Sequence, residues 1–206
     1  MPIALKPRKK PLQARSAVTV DAIVEATIRI LRRDGWAACT TTRVATLAGV
    51  SVGSLYQYFP NRNAIAVEIV RQRTRTYLEA VIAADLSHAT TPEEAIEGAI
   101  SAFVIEKRRG LDVSLALRDA LPEVQGRQAI IEEARRFVPA LQAKLAAAGA
   151  GTADAAQLAV ALAAVEGAVW EIMAQDETAI GRPEAIAALS RVFRAAAGFS
   201  PAAGAR

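Results

Sequence analysis

Between Thr40 and Arg62 the chain reads TTTRVATLAGVSVGSLYQYFPNR. The hydroxyls include Thr40, Thr42, Ser51, Ser54, Tyr56 and Tyr58, the amides are Gln57 and Asn61, and the cations Arg43 and Arg62. Such a set donates and accepts hydrogen bonds and neutralises anions. It suits phosphate oxygens and base edges better than proton transfer or nucleophilic attack. The rest of the chain supplies little catalytic chemistry. It holds one histidine, His88, and one cysteine, Cys39. That is too few for a Cys/His metal site and excludes an internal disulfide. With no phosphate loop and no nucleophile motif, an enzyme is disfavoured, and no cofactor is expected.

These groups need a frame. The spacing predicts a short helix over Thr41–Ala48, capped by Thr40, and a second over Val52–Phe59, capped by Ser51 and ended by Pro60. Two short helices that cross closely need a small residue at the contact, and Ala45 is placed for it. Gly49 supplies the turn, since glycine tolerates unusual backbone angles. Leu55 plugs the junction, supported by Val50, while Val44, Ala48 and Phe59 join the first helix in a small core. The second helix then turns Ser54, Gln57 and Tyr58 outward, with Tyr56 nearby. Gly53 lets another backbone come close. The helix starts at Ser51 and at Asn61-Arg62 offer free N–H groups to phosphate. The pattern is a helix-turn-helix.

Bulk properties agree. Hydrophobic residues are 52% of 206, enough for a core and too many for a disordered chain. Alanine dominates and aromatics are 5%, which favours helices over sheets. Residues 1–80 carry 13 Lys/Arg against 5 Asp/Glu, or +8; residues 81–206 carry 12 against 16, or −4. A basic first third on an acidic remainder points to a polyanion partner for the first part alone. Lys9 and Lys10 lie in a proline-containing arm, residues 1–16, expected to be flexible; it either tracks phosphates and the minor groove or serves as a solubilising tail. Cys39 reads as a packing residue, not a redox sensor.

An all-α chain of about nine helices is expected. A first helix spans Val20–Asp34 with its apolar stripe on Val20, Ile23, Val24, Thr27, Ile30 and Leu31; Gly35 stops it, and Trp36 is expected buried beneath it. Further helices are expected at Arg62–Ala84, Pro92–Arg109, Asp112–Leu121, Glu123–Ala148 with a kink or break at Pro139, one from Thr152 or Asp154 to Gln175, and Pro183–Ala197. The domains predicted are residues 17–63 for DNA binding and 64–199 for the remainder, with a disordered tail at 200–206. The longest uncharged apolar run, Ala155–Val165, is shorter than the about 20 residues a membrane span takes. With no secretory leader visible, a cytoplasmic protein with no membrane partner is expected.

The run AGVSVGSLYQYFPNR resembles the signature of the TetR family of regulators, and the resemblance extends back through QARSAVTVDAIVEATIRILRRDGW, covering residues 13 to about 70. It implies that Thr40, Thr42 and Arg43 lie near phosphates, that Val52, Gly53, Ser54 and Gln57 face the major groove, that Tyr56 and Tyr58 touch phosphate or the groove wall, and that Arg62 clamps the backbone. Arg62 stands where the family often has lysine. The resemblance further implies a repressor released from a palindromic operator by a small ligand, working as a homodimer through its last two helices.

The remaining sequence offers candidates for both roles. Ala156, Ala159, Ala163 and Gly167, with Ile186, Leu189, Val192 and Phe193, could form a four-helix interface between two chains. Tyr77, Phe103, Glu106, Leu117, Arg118, Phe137, Leu141, Glu166 and Trp170 are the candidate ligand contacts. Glu166 stands out because it interrupts an apolar, alanine-rich helix. It would bond a ligand or pair with an arginine. An apolar pocket implies a lipophilic or aromatic ligand. The alternative is a DNA-binding regulator or adaptor governed by a protein partner.

Overall fold

The computed structural model describes residues 14–118, 126–151 and 153–199. All regular structure among them is helical: α1 Ala14–Asp34, α2 Thr41–Ala48, α3 Val52–Tyr58, α4 Arg62–Ala83, α5 Pro92–Arg109, α6 Leu111–Arg118, α7 Gly126–Ala147, α8 Ala155–Gln175 and α9 Pro183–Ala197, with 3-10 turns at Trp36–Ala38 and Ala179–Gly181. Lys9, Lys10, Pro122, Thr152 and the 200–206 tail lie outside the described residues.

The chain divides into two compact units, Met1–Arg73 with Gly110–Ile130, and Thr74–Arg109 with Ile131–Arg206. The first thus takes in α6 as well as the first three helices and the start of α4. Its core is built on Ile23, Leu31, Val44, Leu55, Phe59 and Ile65, joined by Val113 and Leu117 of α6. Arg32 of α1 bridges to Asp112 of α6 at 2.5 Å. Cys39 is fully buried in this core, its thiol directed at the carbonyls of Gly35 and Thr27. Burial pushes that thiol's pKa up, which suits packing and not reactivity.

In the second unit α8 and α9 pack together, and α5 packs on α9. Thr91 caps α5 at the Glu94 amide, 3.2 Å, while the Glu94 carboxylate accepts from the Thr90 amide at 2.7 Å. Asp154 and Gln157 form the reciprocal box at the start of α8. Glu93 and Arg194 pair at 2.5 Å between α5 and α9. Glu133 is buried and held by Arg75 at 2.9 Å and Arg136 at 2.7 Å, so its charge is compensated twice.

Four expectations differ from the structure. The first helix begins at Ala14, ahead of Val20, so the last residues assigned to the flexible arm are helical. The helix after Gly110 begins at Leu111, and only Gly110 separates it from α5. Pro139 does not break α7, which runs unbroken from Gly126 to Ala147. Pro139 and Arg135 are both exposed, so water can satisfy the carbonyl that the proline leaves without a donor. Trp36 is half-buried against the first core, not enclosed under α1.

α8 is the one described helix long and apolar enough to cross a membrane by length and composition. Its outward face is a continuous row of Ala156, Val160, Ala163, Gly167, Glu171 and Ala174.

Candidate nucleic-acid interface and helical-unit cluster

Each predicted cap forms. The Thr40 hydroxyl accepts from the Arg43 amide at 3.3 Å, Ser51 from the Ser54 amide at 3.0 Å, and the Asn61 side-chain oxygen from the Ala64 amide at 2.9 Å. Each satisfies one otherwise orphaned donor and fixes where its helix starts. Gly49 takes the left-handed conformation, φ 69°, and ends α2. Ala45 and Leu55 are buried at the crossing of α2 and α3. This is the small residue, glycine and apolar plug required of a helix-turn-helix.

The packing decides what faces out. Ser51, Val52, Gly53, Tyr56 and Gln57 are exposed, and Val52 and Tyr56 are among the large apolar side chains left uncovered. Ser54 and Tyr58 sit at the margins of that face, both half-buried, and the Tyr58 ring packs against the core. The Tyr56 hydroxyl bonds Thr41 at 3.1 Å, which ties α3 to the first turn of α2. A side chain added at Gly53 would meet nothing in the chain nearer than Ser51 Oγ at 3.8 Å. The fold therefore has no steric need of glycine there.

The cations are held in place. Asp34, the last residue of α1, pairs with both Arg33 and Arg43. Desolvation opposes ionisation of that carboxyl, but the two guanidiniums hold its pKa below the ordinary value. Arg43 is thus kept beside α2. The Arg62 guanidinium lies 4.9 Å from the centre of the Trp36 ring, a cation–π contact that orients it at the start of α4. Thr40 and Thr42 are exposed at the start of α2. The described candidate residues thus gather on one unit, around the N-termini of α2, α3 and α4.

The candidate ligand residues do not all come together. Leu117 belongs to the core of the first unit and is 3% exposed, so it is a packing residue. Arg118 closes α6, and its side chain lies outside the description. Glu106 pairs with Arg109 at 2.9 Å. Phe137 is half-buried and Leu141 buried on α7. Tyr77, Phe103, Glu166 and Trp170 converge. Tyr77 and Phe103 meet edge to face, centroids 5.9 Å apart. At the centre stands Lys107, a residue absent from the candidates. Its ammonium bonds Glu166 at 2.6 Å and lies 5.0, 5.7 and 5.6 Å from the ring centres of Tyr77, Phe103 and Trp170. Glu166 therefore pairs with a lysine and not with an arginine. A signal was available: the stripe Ile96, Ile100, Phe103, continued by one turn, falls on Lys107.

Of the candidate dimer residues, Ala156, Ala163 and Gly167 are exposed, and Ala159, Ile186 and Val192 are half-buried. Leu189 and Phe193 are not available to a second chain; they are 0% and 4% exposed, turned into the unit's own core. An apolar stripe read from sequence does not say whether a neighbouring helix or a second copy covers it.

Comparison with known proteins places this geometry. Residues 17–69 match the family described as bacterial regulatory proteins, tetR family. Among curated proteins, none matches the chain significantly in sequence. Among solved structures, a TetR transcriptional regulator from Rhodococcus sp. RHA1 is similar at 17% identity, TM-score 0.60, over 88% of this chain and 97% of that one. A TetR-family regulator from Streptomyces coelicolor is similar at 22% identity, TM-score 0.58, over 87% and 98%. The regulator FadR from Bacillus subtilis, solved in complex with stearoyl-CoA, is similar at 18% identity, TM-score 0.56, over 88% and 99%. The matched segment contains the helix-turn-helix, and the fold is shared over most of each chain. Residues 17–69 thus match the tetR family of bacterial regulatory proteins in sequence, and the chain shares the fold of solved regulators of that family over most of its length.

Proposed function

We propose that this regulator is a homodimeric repressor that reads a palindromic operator with α3 and is released by a small ligand held in the second unit. The observation that carries the reading is the exposed face of α3. Val52, Gly53, Tyr56 and Gln57 are turned to solvent above a helix whose buried face and caps are complete. Gln57 offers both a donor and an acceptor to a base edge. Thr40, Thr42, Arg43, Ser51, Ser54, Tyr58, Asn61 and Arg62 supply phosphate contacts around it.

The outward row of α8 supports dimerisation. Val160 is 59% exposed, and a side chain at Gly167 would meet nothing in the chain within 4 Å. A glycine inside a helix costs about 1 kcal/mol against alanine, so its use on an open face suits close approach by another helix. Two copies would present two recognition helices to half-sites about 34–36 Å apart, or a multiple of that.

A ligand-binding role for the second unit draws on the cluster at Tyr77, Phe103, Glu166 and Trp170 and on the acyl-CoA complex of the similar FadR. Coupling of about 1–3 kcal/mol between the ligand and operator sites gives a useful change in occupancy. The test is protection of DNA flanking the protein's own gene, with and without candidate ligands. The reading predicts a protected site with two-fold symmetry that is lost on ligand addition. Protection of no symmetric site at low salt contradicts it.

A further inference from the structure

We infer that the second unit recognises an organic anion, an apolar body carrying a carboxylate, and that the ligand's carboxylate replaces Glu166 on Lys107. This rests on the ligand-responsive reading above and names the ligand's chemistry. The Lys107 side chain is 4% exposed, and that of Glu166 is 15% exposed. The two partners therefore differ in how they can respond. An unpaired ammonium at this depth is costly, so Lys107 needs an anion at all times. Among the described residues, Glu166 alone accepts a hydrogen bond from it; ring faces of Tyr77, Phe103 and Trp170 surround the rest of the ammonium. Glu166 is nearer to water and can hydrate when displaced. A ligand carboxylate can take its place while the ligand's apolar body packs on the three rings. A cationic ligand would have to evict Lys107 from the ring cage, and a neutral one offers nothing to replace Glu166.

The exchange also bears on control. Lys107 lies on the last turn of α5, three residues before Gly110, and Glu166 lies on α8, one residue from Gly167 of the outward row. Breaking the pair removes the ion pair that links α5 to α8 within this unit.

Calorimetric titration of the full-length protein with decanoate, 1-decanol and decyltrimethylammonium, all below micelle formation, tests this. Decanoate is expected to bind at least about tenfold tighter than either congener, as a charge-assisted hydrogen bond implies. Glu166→Gln removes the competing carboxylate and should tighten decanoate several-fold. Because Lys107→Met alone leaves the half-buried Glu166 carboxylate unpaired, the neutral pair Lys107→Met/Glu166→Gln is the safer variant. It should bind decanoate and decanol alike. Equal affinity for the three probes in the wild-type protein, tightest binding of decyltrimethylammonium, no saturable decanoate binding, or weaker decanoate binding by Glu166→Gln would each overturn the inference. Operator binding is measured separately without ligand. Its absence alongside a decanoate preference would sink the repressor reading and leave this one standing.

Discussion

Gly53 separates what the fold needs from what the proposed DNA contact needs. Its position on α3 is open, so Gly53→Ala should leave thermal stability unchanged or raise it by up to about 1 kcal/mol. If Gly53 admits the DNA backbone, the same change should cost about tenfold or more in operator affinity; melting curves beside gel-shift titrations check this. Equal affinity would remove Gly53 from the interface. Neighbouring side chains should divide by role. Gln57→Ala should relax preference at one base pair, at about 1–3 kcal/mol, while Arg62→Ala should weaken all sequences alike and lower the salt slope by about one. Competition titrations at several salt concentrations distinguish the two. At this scale the sequence was readable where the determinant is local. Thr40, Ser51 and Asn61 cap their helices because capping depends on residues three apart. Lys107 was missed because a lysine in a basic run, KRR, reads as a solvated end, whereas its burial depends on Tyr77, Glu166 and Trp170, far away in the chain.

Helix boundaries followed the punctuation of glycine, proline and capping residues. Pro92–Arg109 and Pro183–Ala197 lie as their starts and stops predict. The failures are equally physical. Pro139 removes one donor, but at an exposed position that cost is small beside the packing of Val138, Leu141 and Leu145. Which unit an element joins is a tertiary matter, and α6 illustrates it. Its Val113 and Leu117 enter the first core, and Asp112 reaches back to Arg32. Desolvation works against the Asp112 charge, but the Arg32 guanidinium and the Val113 amide outweigh it and lower the pKa. A lowered pKa in the folded state adds stability above the unfolded value, and that stability is lost as pH falls through the folded one. Both side chains are about half exposed, so Asp112→Asn should cost under about 1 kcal/mol at neutral pH. The difference should begin to shrink at about pH 4 and be gone once pH has fallen through the lower folded-state value, which chemical denaturation across pH would follow.

For the whole molecule, a helical chain with a basic helix-turn-helix head was legible from composition, charge asymmetry and one motif. Which apolar residues stay uncovered was not, because Ala156, Ala163 and Gly167 on one side and Leu189 and Phe193 on the other have the same apolar character and only packing tells them apart. Ala163→Glu places a charge on the outward row of α8 and should yield monomers in analytical ultracentrifugation, with helicity kept. A dimer unaffected by it would move the interface elsewhere. The central claim is that α3 of a two-fold dimer reads DNA, and selection of bound sequences from a random duplex library tests it most directly. The account predicts an enriched inverted repeat with half-site centres one helical turn, about 34–36 Å, or a multiple apart, and loss of that enrichment in the Gln57→Ala/Tyr58→Ala double variant. Enrichment of no symmetric sequence, or the same sequence from the double variant at unchanged affinity, would contradict it.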